Sequence, residues 1–213
     1  MRYRSPTCRA GTNLSVLLFL LALVAQVEAQ QGQVLFFEDF EKGPGQWETP
    51  GSMVLTKKYA FAGSYSQTFA QVSYRGDART FIFPVTPGQT YYLHVAYMTL
   101  GGGGYIGIDQ FDEFMESVGE QWLIGDGGYK RTLKAFDYNV FNKNPADLGV
   151  WKVYTQPYTI PDNVYLIRIK TQDWDSGLPN NPLNRGVFFD NIEWSTSPNP
   201  SFLNTVKQFL IFR

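Results

Sequence analysis

The chain of 213 residues contains one cysteine and one histidine, and both scarcities limit its chemistry. Cys8 lies in an N-terminal segment that the sequence predicts to be removed, so the remaining chain forms no disulfide. No cysteine nucleophile is left, no Gly-x-Ser-x-Gly elbow occurs, and His94 lies in the middle of a predicted strand. Nucleophilic catalysis by a triad is therefore not favoured, and we expect His94 to be a hydrogen-bonded strand residue.

The N-terminal segment has the three-part layout of a secretory signal. Three arginines precede an apolar run at residues 16–25, and Val27 and Ala29 place small residues where signal peptidase reads the chain. The apolar run is half the roughly 20 residues that a spanning helix needs, although a signal anchor is the alternative. We predict a signal peptide at residues 1–29 and a secreted, extracellular product without a membrane span.

Net charge is also low. Loss of the signal removes three arginines and one glutamate, so the formal charge goes from −1 to −3. A charge this small argues against a nucleic-acid partner and against binding to an anionic membrane. No Asn-x-Ser/Thr sequon follows residue 29, because Asn199 is followed by Pro200, so we expect no N-glycosylation of the mature domain.

Helix patterns are scarce, whereas strand patterns are frequent. Short runs rich in aromatic and β-branched residues, bounded by turn residues, indicate about nine strands. The predicted strands are residues 33–37, 64–70, 79–83, 90–99, 105–110, 129–138, 150–156, 164–171 and 186–194. Residues 30–196 are long enough for one all-β domain, an antiparallel β-sandwich of jelly-roll type. Residues 197–213 are predicted to be a tail or the start of a linker.

Two stretches read as long irregular loops. Residues 110–128 are acidic and contain glycine, and residues 173–185 are polar. Long loops on a rigid sandwich are where binding residues usually lie. We therefore look for functional side chains in these two stretches.

Several short motifs occur in the order of a known family. They are Phe40-Glu41 with Trp47, Ala62-Gly63-Ser64, Pro87-Gly88-Gln89-Thr90-Tyr91, Trp151 with Tyr158-Thr159-Ile160-Pro161, and Phe189-Asp190-Asn191-Ile192. Over residues 33–195 this order resembles the carbohydrate-binding modules of the CenC type, families four, nine and twenty-two, which are galactose-binding-like jelly rolls. The resemblance implies a non-catalytic module that binds a polysaccharide or glycan.

The resemblance also implies a structural calcium ion that joins the first and last strands. The matching carboxylates are Glu41, with Asp39 nearby, and Asp190. Calcium takes about six to eight oxygen ligands, so backbone carbonyls, such as those of the turn at Gly63 and Ser64, would complete the set. The alternative is that Glu41 and Asp190 cap turns or pair with a basic residue.

Aromatic rings bind sugars by stacking on pyranose faces, while polar side chains bind the hydroxyl groups. We assign Trp47, Trp151 and Trp194 to packing, the first two because they occupy core positions of the family. Trp122 and Trp174 lie in or beside the long loops and are the leading candidates for ligand contacts. Further candidates are the rings of Tyr105, Tyr129 and Tyr138 and the polar groups of Gln110, Arg131, Asp173 and Asn180. Burial in the core is the alternative for each.

Two other functions stay open. An extracellular protein-interaction or matrix domain is compatible with the same fold, and an exposed apolar patch would favour it. The second alternative function is that of a divergent sandwich glycoside hydrolase or lyase. It stays open because residues 108–113 resemble the Glu-x-Asp-x-x-Glu strand of laminarinase-like hydrolases. Asp109 and Glu113 share a face by alternation, but Gly107 stands where the nucleophile is expected. We therefore predict no enzymatic activity.

Overall fold

The computed structural model describes residues 32–49, 52–69, 75–100, 103–125, 149–174 and 186–203. The chain divides into two compact units, Met1–Gln33 and Val34–Arg213, and every strand below belongs to the second. The described strands are β1 (Val34–Glu38), β2 (Trp47–Thr49), β3 (Met53–Thr56), β4 (Ser66–Phe69), β5 (Arg75–Thr80), β6 (Phe83–Pro84), β7 (Thr90–Thr99), β8 (Gly103–Phe111), β9 (Ser117–Gly125), β10 (Lys152–Thr159), β11 (Leu166–Trp174) and β12 (Val187–Ser195). Within the described residues, no helix is long and apolar enough to cross a membrane.

The strands form two antiparallel sheets of six strands each. In the first sheet the order is β10-β7-β12-β4-β3, and β1 also pairs with β12. In the second sheet the order is β2-β5-β11-β8-β9, and β6 pairs with β11. Neighbours in each sheet are mostly distant in sequence, as in jelly rolls. The predicted all-β, antiparallel β-sandwich is confirmed.

The core lies between the sheets because alternate residues of each strand face inward. The inward residues of the central strands are large, apolar and buried: Tyr91, Leu93, Val95 and Tyr97 of β7, and Ile106, Ile108, Ile167 and Ile169 of β8 and β11. Their alternation on β8 and β11 fixes which residues face outward on the second sheet. The positions between the isoleucines form that outer face.

Strand β12 changes the parity of its inward residues halfway along. A register shift against β7 between Asp190 and Glu193 places two residues of β12 opposite one of β7, a β-bulge. Asn191 at the bulge has φ +46°, in the left-handed region. The bulge allows Phe189 and Trp194 both to be fully buried in the core. It also turns Asp190 and Glu193 toward the outer side of the first sheet.

The segment after β12 packs against the first sheet. The backbone N–H of Ser201 donates a hydrogen bond of 2.9 Å to Glu193 Oε2. The ring of Phe202 is 4% exposed and lies 6.2 Å from that of Phe61, centroid to centroid. The sequence suggested a tail or linker from residue 197, whereas residues 197–203 are anchored on the domain. Residues 204–213 lie outside the described residues.

The two stretches predicted as loops include strand. Residues 110–128 were expected to be irregular, but Phe111 still belongs to β8 and Ser117–Gly125 form β9, leaving a short turn between them. Strand β11 continues to Trp174, beyond the predicted end at residue 171. Strands β2 and β3 were also missed because each has at most four residues. The predicted strand at 129–138 lies outside the described residues.

Candidate functional site

The outer face of the second sheet carries a group of charged and aromatic residues. On β11, Arg168 and Lys170 alternate with buried Ile167 and Ile169 and therefore face away from the core. On β8, Asp109 is paired with Arg168 and faces the same way. We call this surface the open face; its residues are Glu48, Arg79, Tyr105, Gly107, Asp109, Phe111, Glu120, Trp122, Arg168 and Lys170.

Asp109 lies at the centre of an ion-pair network on the open face. Its Oδ2 is 2.9 Å from Arg168 Nε, and its Oδ1 is 2.7 Å from Lys170 Nζ. Arg168 Nη1 also lies 3.1 Å from Glu48 Oε2, and Lys170 Nζ lies 2.5 Å from Glu120 Oε2. Burial acts to raise the pKa of Asp109, but hydrogen bonds and charge from Lys170 and Arg168 hold it below its ordinary value. Asp109 is therefore an ionised hydrogen-bond acceptor at neutral pH.

Trp122 lies on β9 opposite Gly107 of β8 and is half-buried. A Cβ atom at Gly107 would clash with the backbone carbonyl oxygen of Gln121 and would lie 2.9 Å from the Cα and 3.0 Å from the ring Cε3 of Trp122, so both the backbone of β9 and the indole need the space that glycine leaves. The Lys170 ammonium lies over the ring, 4.1 Å from its centroid. Tyr105 contacts the ring edge-on, with centroids 5.5 Å apart. With these contacts the Trp122 side chain is partly buried and keeps part of its surface exposed to solvent.

An open cleft of about 300 Å³ adjoins the ion-pair network. Its lining residues are Asp109, Phe111, Ser117, Gly119, Glu120 and Arg168. The guanidinium of Arg168 lies 5.4 Å from the ring centroid of Phe111, so the cation is held between a ring and carboxylates. The lining thus combines hydrogen-bond donors, acceptors and apolar surface. That combination suits a ligand rich in hydroxyl groups, since each hydroxyl both donates and accepts.

The structure brings together only part of the predicted ligand set. Trp122 and Tyr105 are in contact on the open face, but the Tyr105 side chain is 5% exposed and therefore buried. Gln110 is instead buried and donates to the hydroxyl of Tyr158 at 2.6 Å, which links the two sheets. Asp173 is fully buried on the inward side of β11.

For the remaining predicted ligand residues, the structure describes no side chain. Trp174 ends β11, where its backbone pairs with those of Gly103 and Arg75, and its side chain is not among those described. Tyr129, Arg131, Tyr138 and Asn180 lie outside the described residues. Their assignment as ligand contacts stays a prediction.

Several residues of the open face were missed by the sequence analysis. Arg168, Lys170, Glu120 and Phe111 were not among the predicted ligand residues, and Asp109 was considered only as a carboxylate of the hydrolase-like strand at residues 108–113. The predicted strand at residues 164–171 contained a usable signal, because its two cations alternate with isoleucines and must share one face. The acidic partners had no such signal, since their strand pairing depends on the turn at residues 112–116.

The carboxylates expected to bind calcium surround one turn on the first sheet. Asp190 Oδ2 accepts hydrogen bonds from the N–H groups of Phe61 and Ala62, at 2.8 and 3.3 Å. Glu41 Oε1 accepts from those of Ser64 and Tyr65, at 2.7 and 2.8 Å. The turn at residues 61–65 is therefore capped from both sides, and Asp39 caps the backbone N–H of Glu41 at 3.1 Å.

The electrostatics of this turn are unfavourable for two ionised carboxylates. Burial raises the pKa of Asp190 to about 7, and the charge of Glu41 acts in the same direction. The backbone hydrogen bonds from Phe61, Ala62 and Asn191 oppose this rise. Among the described residues, no three acidic, histidine or cysteine side chains converge on one point. The pair fits a calcium site only if backbone oxygens supply most of the ligands.

His94 is buried and both of its ring nitrogens are hydrogen-bonded. Its Nε2 lies 2.9 Å from the carbonyl oxygen of Ser197, and its Nδ1 lies 2.8 Å from the hydroxyl of Thr155. A carbonyl only accepts, so Nε2 carries a proton that it donates to Ser197. Burial lowers the pKa of His94, although the Ser197 hydrogen bond and the charge of Glu193 oppose this effect. The expected hydrogen-bonded strand histidine is confirmed.

Solved structures similar to this chain include several carbohydrate-binding modules. The C-terminal family 22 module of Clostridium thermocellum Xyn10B is 14% identical, with 76% of this chain and 93% of that one covered and a TM-score of 0.51. A xylan-binding family 22 domain is also 14% identical, with 79% and 97% covered and a TM-score of 0.52. The xylan-binding family 22 domain of Paenibacillus barcinonensis Xyn10C is 10% identical, with 78% and 96% covered and a TM-score of 0.50.

The sequence itself matches no family model and no curated protein. At identities of 10–14%, the structural likeness establishes the fold. It agrees with the motif resemblance to the CenC-type modules and with the two-sheet topology described above. The chain therefore has the β-sandwich fold of the family 22 carbohydrate-binding modules.

Proposed function

We propose that this chain is a secreted, non-catalytic carbohydrate-binding module whose open face binds a neutral polysaccharide. The observation that carries the proposal is the half-exposed ring of Trp122 beside the cleft at Asp109 and Arg168. The ring supplies a flat apolar surface for a pyranose, and the charged groups supply partners for its hydroxyls. Similar modules that are themselves described as xylan-binding support the ligand class.

The ion pairing on the open face favours an uncharged glycan. Arg168 lies between Asp109 and Glu48, and Lys170 lies between Asp109 and Glu120. The third cation of the open face, Arg79, lies 3.5 Å from both Asp77 and Asp109. Each cation therefore has a carboxylate partner already, which weakens its attraction for a carboxylate or sulfate group on a sugar. We therefore expect neutral polysaccharides to bind and acidic ones not to bind.

The geometry around Asp109 supports a non-catalytic role. A glycosidase needs one carboxyl group that can give up a proton near neutral pH, whereas two cations hold Asp109 in its ionised form. Glu113 lies in the turn between β8 and β9 and does not continue the strand that would bring it beside Asp109. Incubation of the purified protein with neutral polysaccharides is expected to release no reducing sugar.

The proposal includes a structural calcium ion held by Glu41 and Asp190, with backbone oxygens completing its ligands. The raised pKa of Asp190 supports this, because a cation beside the pair would favour both ionised carboxylates. Such an ion would join the end of β1 to β12 in a domain without disulfides. Asp39 caps the backbone at Glu41 and contributes to the arrangement of the ligands.

Retention on polysaccharides tests the function directly. Residues 30–213 would be applied to soluble and insoluble neutral and acidic polysaccharides, in calcium and then in EDTA. Trp122→Ala should abolish retention, whereas Trp151→Ala should preserve it, because Trp151 contacts Phe61 away from the open face. A folded wild-type protein that binds none of the polysaccharides would refute the proposal. N-terminal sequencing of the exported protein should begin at Gln30.

An extracellular protein-binding domain is the second candidate, and one observation favours it. Phe114 and Met115 are 76% and 60% exposed in the turn between β8 and β9. Asp112 holds that turn by accepting hydrogen bonds from the N–H groups of Phe114 and Glu116, each at 2.9 Å. Two large apolar side chains on a fixed turn are suited to insertion into a protein surface. If the folded protein bound no polysaccharide, protein binding through this turn would become the favoured function.

A further inference from the structure

Lys170 is buried although it lies on the outer face of a sheet. Its side chain is 5% exposed, whereas that of Glu120 beside it is 49% exposed. Lysine is rarely buried unless it is paired, and here the ammonium contacts Asp109, Glu120 and the ring of Trp122. The three partners stand on β8 and β9, so Lys170 of β11 connects three adjacent strands.

Trp122 depends on this lysine for its orientation. The indole packs over Gly107, where a Cβ atom would lie 3.0 Å from its Cε3, and the Tyr105 ring contacts it at an interplanar angle of 61°. The Lys170 ammonium lies over one face of the Trp122 ring, and the carboxylates of Asp109 and Glu120 fix its position. A cation held over an aromatic face attracts the ring electrostatically. Without it, this face of the indole would lose its charged contact, and the ring would be less firmly held in this orientation.

We propose that Lys170 positions Trp122 from beneath, so that the outer face of the indole forms a flat platform for a pyranose ring, without Lys170 touching the ligand. This inference rests on the proposed binding function and adds a specific positioning residue to it. Stability alone does not explain the buried lysine, because replacing every partner of a buried ion pair by apolar residues is often neutral or stabilising.

The test compares Lys170→Met, which keeps the length of the side chain and removes its charge, with Lys42→Met as a control for charge loss at an exposed turn position. Binding would be measured by calorimetry with xylohexaose and with cellohexaose. Near-ultraviolet circular dichroism spectra would be recorded for each of these proteins and for the same protein carrying Trp122→Ala. The difference between the two spectra is the signal of Trp122. This second readout needs no ligand.

The expected result is about a tenfold loss of affinity in Lys170→Met. The melting temperature should also fall, because Asp109 and Glu120 keep their charges and lose a partner, so binding is measured well below the unfolding transition. The difference spectrum due to Trp122 should shrink in that variant and persist in Lys42→Met. Lys170→Arg should restore both readouts in part, since a guanidinium also binds carboxylates and aromatic faces. Unchanged affinity and an unchanged Trp122 spectrum in Lys170→Met would overturn the inference.

The two proposals fail in distinguishable ways. If the wild-type protein binds neither oligosaccharide, the choice of ligand or the function is wrong, and the spectrum alone decides whether Lys170 orients Trp122. If Trp122→Ala abolishes binding and Lys170→Met does not weaken it, the module stands and the positioning role is refuted.

Discussion

Gly107 and Trp122 stand opposite each other on β8 and β9, and the missing side chain at position 107 gives the indole its place on the open face. A methyl group there would clash with the backbone carbonyl oxygen of Gln121 and lie within 3.0 Å of the Trp122 backbone and ring, so it would shift β9 together with the indole. Gly107→Ala should therefore displace Trp122 and weaken polysaccharide binding by about tenfold or more, as small displacements at a binding site do. Affinity electrophoresis in a gel containing the bound polysaccharide measures the change.

Gly45→Ala is the matched control for this prediction. No atom lies within 4 Å of the position that its Cβ would take, so binding should stay at the wild-type level. Equal binding by Gly107→Ala and Gly45→Ala would show that the orientation of Trp122 does not matter to the ligand.

The raised pKa of Asp190 predicts an unusual dependence of stability on pH in EDTA. Because the pKa is about 7 in the folded protein and 3.8 in the unfolded chain, the native state binds the proton more tightly. This contribution to the free energy of unfolding falls as pH rises from about 4 to about 7, by at most ~4 kcal/mol. Urea denaturation at pH 5.0 and 7.5 measures the fall.

Asp190→Asn should lose the pH-dependent contribution of Asp190 to the free energy of unfolding. Comparison with the wild-type protein then separates the effect of Asp190 from the effect of His94. His94 has a lowered pKa, so it acts in the opposite direction below about pH 6.5, and it does so equally in both proteins. Calcium should remove or reverse the Asp190 contribution in the wild-type protein, because bound calcium requires the ionised carboxylate. An identical pH dependence with and without calcium would argue against an ion at Asp190.

The turn capped by Glu41 depends on the glycine at position 63. Gly63 has φ +70°, and a Cβ atom there would lie 2.5 Å from Glu41 Oε1. Gly63→Ala should destabilise the domain by about 1–3 kcal/mol through backbone strain and displacement of the carboxylate. It should also reduce any increase in melting temperature that calcium gives to the wild-type protein. A melting temperature equal to that of the wild-type protein would show that the turn adjusts without cost.

The sequence predicts the long central strands better than the short edge strands. Strand β7 was predicted at residues 90–99, as observed, because its ten residues carry a continuous apolar and β-branched pattern. Strand β9 was missed because its first four residues are exposed and include Ser117, Gly119 and Glu120, a composition typical of a loop. Its pairing with β8 is a tertiary interaction that local pattern does not encode.

The candidate site was predictable only where alternation reveals a face. Trp122 and Tyr105 were selected for their rings, and Arg168 and Lys170 follow from alternation in β11 once an outward face is assumed. The bulge at Asn191 shows the limit of such reasoning, because it changes the parity of β12 without a glycine to mark it. Burial of Gln110 and Asp173 likewise depends on packing between the sheets rather than on local sequence.

Anchoring of the C-terminal segment predicts that the domain needs residues beyond its last strand. Phe202 is 4% exposed between the rings of Phe37 and Phe61, with centroids 6.4 and 6.2 Å away. Phe202→Ala should lower the free energy of unfolding by about 3 kcal/mol, as expected for a large buried ring. Phe114→Ala, at a position 76% exposed, should change it by less than about 0.5 kcal/mol.

Truncation extends this test. A chain that ends at residue 196 also loses the hydrogen bonds from Ser201 to Glu193 and from His94 to the carbonyl of Ser197. It removes the hydrogen-bond partners of Glu193 Oε2 and of His94 Nε2, both on buried side chains, so it should be less stable than Phe202→Ala. Chemical denaturation of the three proteins gives the order. Equal stability of the truncated and full-length chains would mean that the segment is a tail, as the sequence suggested, and that its contacts contribute nothing to folding.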